Sequence, residues 1–329
     1  MPQDKPRHPN EYGAANCTTL SISTYLKQRK IKPESVAVAV NDEVVPRNLW
    51  DEYNIQDDDK VEVVRAVSGG DHDTLTIAGH EFSSRLFIGT GKYPDQESMV
   101  RSLDASGTEM VTVAIRIMNL DGDEPSILES IDLGRYKLLP NTAGAYTVKD
   151  AVKMARLARE ATGTNWIKLE VIGDHRSLWP DVTGTIEATK ILVNEGFVVL
   201  PYTSPDLVSA MRLEEAGAAT VMPLAAPIGS GQGMQDWKSI ERIVDAVNVP
   251  VVVDAGIGVP SDAALAMEIG ADAVLVNTAI ARASNPSAMA KAMRLGTEAG
   301  RISFRSGRMP VSEYANPSSP VTGVPLAIE

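Results

Sequence analysis

One cysteine, Cys17, stands in 329 residues. An intrachain disulfide and a thiolate metal cluster are therefore both excluded. Histidine is scarce too. His8, His72, His80 and His175 are far apart and share no zinc-like spacing with acids, so no metal site is expected. No run approaches ~20 uncharged apolar residues, so no membrane helix is expected. The opening segment MPQDKPRHPNEYGAAN is polar and has no apolar core of a leader peptide. A cytoplasmic protein is the expectation. Basic residues number 31 against 43 acidic ones, a formal charge of -12. That balance disfavours nonspecific nucleic-acid binding. It is compatible with a phosphorylated small substrate held by backbone amides. There is no Walker A pattern, and no GxGxxG opens after a first strand.

What remains is an ordinary globular composition, 43% hydrophobic and 22% charged. The length suits one large domain with a smaller companion. Residues 1–16 read as a flexible lead. Thr18 to Leu26 reads as a short helix with Leu20, Ile22 and Leu26 on its apolar side. Val36 to Val45 is a hairpin with Asn41-Asp42 at its turn, and Lys60 to Val67 is a further strand. A small α+β unit therefore fills about residues 17–67 and runs into Ser68-Gly69-Gly70.

A second hairpin follows over Thr74–Phe82, turning at Gly79. Strands then alternate with helices. Apolar strand candidates begin near Arg85, Glu109, Lys137, Trp166, Phe197, Ala219, Pro250 and Ala273. They recur roughly every 27 residues, the repeat of one strand plus one helix. Helices are predicted over Val148–Ala161, Thr185–Glu195, Pro205–Ala216, Asp236–Val247 and Ser261–Ile269. Gly196 and Gly270 are placed to end two of them in a left-handed residue. The fold class is α/β, read as a (β/α)8 barrel whose hairpin plugs its base. A doubly wound sheet is the structural competitor. The tail after Arg301 is rich in Ser, Gly and Pro and is expected to be extended.

Barrel active sites lie at the carboxyl ends of the strands. Lys168, in Trp166-Ile-Lys-Leu-Glu-Val-Ile172, is a lone ammonium in an apolar run and shares a strand face with Glu170. Facing inward, burial could leave it neutral near pH 7, ready to attack a carbonyl as a Schiff-base nucleophile with Glu170 moving protons. Facing outward, it would simply pair with a helix. Asp254 ends the run Pro250–Val253 and could be a second acid/base group, or merely close a turn. Three small-residue loops, Pro227–Gly231, Ala255–Gly258 and Asn277–Ala279, fall where barrels hold phosphate. No basic residue lies in them, so amides would do the holding. Asn141–Gly144 could orient substrate. His175 reads as an exposed loop residue.

The motif Asn165-Trp-Ile-Lys168-Leu-Glu170-Val-Ile-Gly-Asp174 resembles that of the bacterial thiazole synthase family, which makes the thiazole phosphate half of thiamine. The resemblance runs from about Leu75 to Gly323. It includes Gly89–Tyr93, Leu139–Gly144, Pro223–Gly233, Val253–Gly258, Val276–Ile280, Gly307–Pro310 and Ser318–Pro320. It implies a phosphate-binding TIM barrel that forms a homo-oligomer and needs no cofactor. Lys168 would form an imine with 1-deoxy-D-xylulose 5-phosphate. Gly229, Ala255, Gly256, Asn277 and Thr278 would line the sugar-phosphate site, and Glu170 and Asp254 would transfer protons. Dehydroglycine is the implied second substrate, and sulfur arrives as a thiocarboxylate on a small carrier protein. Residue by residue, the alternatives are another Schiff-base sugar-phosphate aldolase or isomerase, or a non-catalytic carrier-binding scaffold.

Ala37–Arg47, Trp50, Asp57–Val63 and Ala66–Gly70 resemble the ubiquitin-like, β-grasp sulfur carrier itself. The expected division is a lead at 1–16, a carrier domain at 17–70 with Gly69 and Gly70 as its tail, a barrel at 71–304 and an extended tail at 305–329. Two departures matter. Gly70 is joined to Asp71, so it has no carboxylate for an adenylyltransferase to activate, and the carrier's first strand is not evident in residues 1–16. Either the chain is cut after Gly70, or a separate carrier brings the sulfur.

Overall fold

The computed structural model describes residues 20–29, 31, 33, 36–56, 59–65, 73–114, 127–316 and 318. The chain divides into two compact units, Met1–Asp73 and Thr74–Glu329. Gly69 and Gly70 lie outside the described residues.

In the first unit, β1 (Leu20–Ser21) leads into α1 (Ile22–Gln28), followed by β2 (Val36–Val40), β3 (Glu43–Val45), β4 (Asn54–Ile55) and β5 (Val61–Arg65). Strand β2 is central and antiparallel to both β3 and β5. The β2–β3 turn is Asn41-Asp42, with φ of 53° and 66°, the left-handed pair a tight hairpin needs. Alternate residues Val36, Val38 and Val40 face one core with Ile22, Leu26, Val45 and Trp50. Trp50 is buried, and its indole N–H donates to Val45 O at 2.8 Å. The helix starts later than its sequence suggests. Ser21 caps it by accepting from Thr24 N, which leaves Leu20 to pair with Ile55 as a strand residue.

The second unit opens with the hairpin β6 (Leu75–Ile77) and β7 (His80–Phe82), turning through Ala78 and Gly79 at positive φ. Eight parallel strands follow: β8 (Leu86–Gly89), β9 (Met110–Ala114), β10 (Lys137–Asn141), β11 (Trp166–Leu169), β12 (Val198–Thr203), β13 (Met222–Pro223), β14 (Val252–Asp254) and β15 (Ala273–Val276). The first of them, β8, pairs with the last, β15, and the single bridges Val221–Val251 and Leu224–Asp254 join β13 to β14. The sheet thus closes on itself, which rules out the doubly wound alternative.

The outer layer holds α2 (Gln96–Ser106), α3 (Val148–Thr162), α4 (Val182–Asn194), α5 (Leu207–Glu215), α6 (Trp237–Ala246), α7 (Pro260–Glu268), α8 (Thr278–Ala281) and α9 (Pro286–Ser306). Asp95, Thr147, Asp181, Asp206, Asp236 and Asn285 each cap a helix by accepting from the backbone N–H three residues on. These short polar residues decide where helices begin after the apolar strands end. The final helix continues past Arg301 to Ser306 and stops at Gly307, φ 78°, so the tail starts later than composition suggested. Its apolar residues Ile302 and Phe304 are exposed.

The base of the barrel is shut by the hairpin. Leu75, Ile77 and Phe82 join Phe87, Met110, Leu139, Trp166 and other inward strand residues in one buried cluster. The Phe82 ring meets Phe87 edge-on at 5.7 Å and Trp166 at 6.1 Å. Phe82→Ala is expected to cost about 3–5 kcal/mol, read from urea unfolding midpoints. A loss near zero would show that the hairpin does not serve as the plug.

Candidate active site

At the other end, β11 carries Lys168 inward, because Trp166 and Lys168 share one face while Ile167 and Leu169 pack outward against α3 and α4. Glu170 lies just past the strand. Thr142, at the end of β10, fixes it there: its hydroxyl donates to Glu170 O at 2.8 Å and lies 2.7 Å from Glu170 N. Thr142 itself is fully buried. Asp254 arrives on β14. Lys168, Glu170 and Asp254 are 6%, 5% and 3% exposed.

The amine sits between two acids. Lys168 Nζ is 2.8 Å from Glu170 Oε1 and 2.7 Å from Asp254 Oδ2. The first contact is a directed hydrogen bond. The second approaches off the hydrogen-bonding direction, leaving Asp254 Oδ2 with an opposite charge nearby and no directed donor. Asp254 Oδ1 accepts from Ala255 N at 2.7 Å. The Tyr202 ring lies 5.6 Å from Nζ.

This arrangement corrects one expectation. Burial pulls the Lys168 pKa down, but Asp254 and Glu170 more than offset it, and the group stands above an ordinary lysine. Two carboxylates at 2.8 Å and 2.7 Å favour the ammonium form of the resting amine over the neutral one. Burial pushes Asp254 up, Lys168 pulls it back, and Glu170 adds to the rise, leaving a carboxyl with raised proton affinity beside the amine.

All eight candidate residues within the barrel line one cavity of about 440 Å³: Lys168, Glu170, Asp254, Gly229, Ala255, Gly256, Asn277 and Thr278. Ala255 and Gly256 take φ of 57° and 72°. A Cβ on Gly256 would lie 2.4–2.6 Å from Ala226 backbone and side-chain atoms, so this turn admits only glycine. Asn277 does more than line the wall. Turned so that its amide nitrogen meets two carbonyls, it donates to Gly89 O at 3.1 Å and Gly91 O at 2.9 Å. Asn141 also lines the cavity, and its amide donates to Thr112 Oγ1 at 3.2 Å. His175 is exposed, stacks on Tyr146 with ring centroids 3.9 Å apart, and is not part of the cavity wall.

One residue escaped the sequence reading. Lys92 follows β8 and lines the same cavity. Its loop is remote in sequence from the three late loops, but closure of β8 onto β15 sets them side by side. Among the described residues, no group of three or more His, Cys, Asp or Glu side chains could hold a metal ion. No helix among them is long and apolar enough to cross a membrane.

A family profile described as "Thiazole biosynthesis protein ThiG" matches residues 76–320. The chain belongs to this family. A second profile, of the ThiS family, matches residues 13–70 and makes the first unit a ubiquitin-like domain. The thiazole synthase of Solibacter usitatus is 58% identical over 254 residues, covering 77% of this chain and 98% of its own. That of Paramagnetospirillum magneticum is 46% identical over 309 residues, covering 93% of this chain and 95% of its own, so the likeness extends into the amino-terminal unit. Among solved structures, the Amycolatopsis orientalis BexX/CysO complex aligns with a TM-score of 0.66 at 36% identity, over 73% of this chain and 98% of that one. The chain is thus a thiazole synthase enzyme with a fused ThiS-like domain.

Proposed function

We propose that the barrel builds the thiazole phosphate carboxylate of thiamine biosynthesis from 1-deoxy-D-xylulose 5-phosphate, dehydroglycine and thiocarboxylate sulfur, with Lys168 as the Schiff-base residue. The observation that carries this is the buried ammonium held 2.8 Å and 2.7 Å from two carboxylates at the floor of the cavity. An ammonium must lose a proton before it attacks. Asp254, raised in proton affinity by burial, is the natural acceptor. The neutral amine adds to the ketone carbon and water leaves, giving an imine. The imine acidifies the neighbouring sugar carbon, and Glu170 or Asp254 takes and returns protons as the carbonyl migrates. The thiocarboxylate sulfur then attacks the migrated carbonyl carbon, the carrier's acyl group passes to the resulting oxygen and departs with it as a carboxylate, dehydroglycine adds, and the ring closes with loss of water. Gly229, Ala255, Gly256 and Thr278 wall the sugar-phosphate end.

The sulfur donor is a carrier thiocarboxylate. For the fused domain to serve, the Gly70–Asp71 bond must first be cut, because only a free carboxylate can be adenylated and exchanged for sulfur. Intact mass of protein from its native cell tests this: a fragment ending at Gly70, heavier by the replacement of oxygen with sulfur, is the expected species. An uncut chain in active cells would assign the sulfur to a separate carrier. The reaction itself is tested by supplying the full chain with the sugar phosphate, glyoxylate with ammonia, and a carrier thiocarboxylate. A thiazole phosphate carboxylate is the expected product. Recovery of only a cleaved or isomerised sugar phosphate would replace this reading with an aldolase or isomerase.

A further inference from the structure

A phosphorylated substrate brings its negative charge to a cavity whose floor already carries a net one. Among the described residues, the charged ones lining the cavity are Lys92, Lys168, Glu170 and Asp254. Lys168 is shared by both carboxylates, so that trio is net anionic. Lys92 has no hydrogen bond or ion pair among the described residues, which leaves its charge uncommitted.

Its position is built rather than incidental. Lys92 is held at φ 71°, a left-handed conformation that a lysine adopts only when its surroundings impose it. The carbonyls of Gly89 and Gly91, just before it, are the two that Asn277 ties down. Gly229, which lines the same cavity, has φ 73°, and the point where its Cβ would stand is in contact range of two polar side chains. Thr278 Oγ1 lies 3.6 Å from that point and Lys92 Nζ 3.9 Å. An ammonium, a hydroxyl and a glycine loop therefore come together on the wall of the cavity that Lys168 floors.

Resting on the sugar-phosphate reading above, we propose that Lys92 is the cation that binds the substrate's phosphate, with Thr278 and the Gly229–Gly231 loop completing the subsite. Asn277 is then a positioning residue that holds the Lys92 loop. Discrimination for a phosphorylated ketose over its unphosphorylated counterpart resides in this lysine.

The test uses the full chain. Inorganic phosphate is titrated calorimetrically into wild type, Lys92→Gln, Lys92→Arg and, as a surface control, Lys153→Gln. Lys92→Gln is expected to weaken binding at least about tenfold, the loss of one charge-assisted bond. Lys92→Arg retains most of the affinity, and Lys153→Gln matches wild type. Lys92→Gly suits the left-handed backbone, so an equal loss in that variant cannot be blamed on strain. When the ketose imine is trapped on the protein with borohydride, Lys92→Gln raises the half-saturating concentration for 1-deoxy-D-xylulose 5-phosphate and leaves that for 1-deoxy-D-xylulose unchanged. Phosphate binding unaltered by Lys92→Gln, absent from wild type, or equal losses for both ketoses would overturn the assignment. The titration needs no chemistry at Lys168. Protein that binds phosphate through Lys92 yet traps no ketose would retain this subsite and discard the Schiff base.

Discussion

Lys168→Ala is expected to eliminate the borohydride-trappable adduct with 1-deoxy-D-xylulose 5-phosphate and to bring thiazole formation below detection. No other described lysine lining the cavity is buried; Lys92 is exposed at its rim. The same change should also cost roughly 3–5 kcal/mol of stability, because it leaves two buried carboxylates without their cation. The pH dependence has a definite sign. In wild type, Lys168 is raised above its ordinary 10.5, so its stabilisation is complete below that value and fades only in alkali. In the variant, Asp254 loses the partner that pulled its pKa down and stands further above 3.8. Such an acid binds a proton more readily folded than unfolded, so stability falls as pH rises through its titration. The gap between variant and wild type should therefore be narrower at about pH 5 than at about pH 8, measured by thermal melts. Lys168→Arg separates the two roles. It keeps the charge that the acids require, cannot form an imine, and is expected to fold but not to trap. Wild-type trapping yield in either variant would place the covalent chemistry elsewhere.

Asp254→Asn is expected to separate adduct formation from turnover. Asparagine keeps the shape and the acceptor for Ala255 N–H but neither the charge nor the proton capacity. With one counter-charge gone, burial pulls Lys168 down with less opposition, and its neutral form is reached at lower pH. Trapping near neutrality should persist or improve. Thiazole formation should fall about 10²–10⁴-fold, the usual size of a lost general acid/base. Parallel loss of both would mean that Asp254 serves to place the amine rather than to move protons.

The strands and helices were legible because each is a short apolar run closed by a polar or glycine residue. Trp166–Leu169 and Ala273–Val276 begin where the sequence put them, and the cap residues Thr147 and Asp236 mark helix starts. Lys168 was legible as an anomaly in such a run. Its charge state was not, since that depends on Asp254, a residue 86 positions away that reaches it only across a closed barrel. Lys92 was hidden for the same reason, its neighbours being set by pairing of the first barrel strand with the last. Thr142 reads as a substrate-facing residue in its small polar loop, yet it is spent on holding the backbone of Glu170. Leu20 looked helical by spacing, and lost that role because Ser21 supplies the cap.

The hairpin that stops the base of the barrel belongs to the same compact unit as the strands it covers. The barrel's unit thus carries its own plug, supplied from within Thr74–Glu329. The same plug would serve a chain with a leading module or without one. The Solibacter relative, matched over 98% of its length by only 77% of this chain, and the longer Paramagnetospirillum relative are chains of two such lengths.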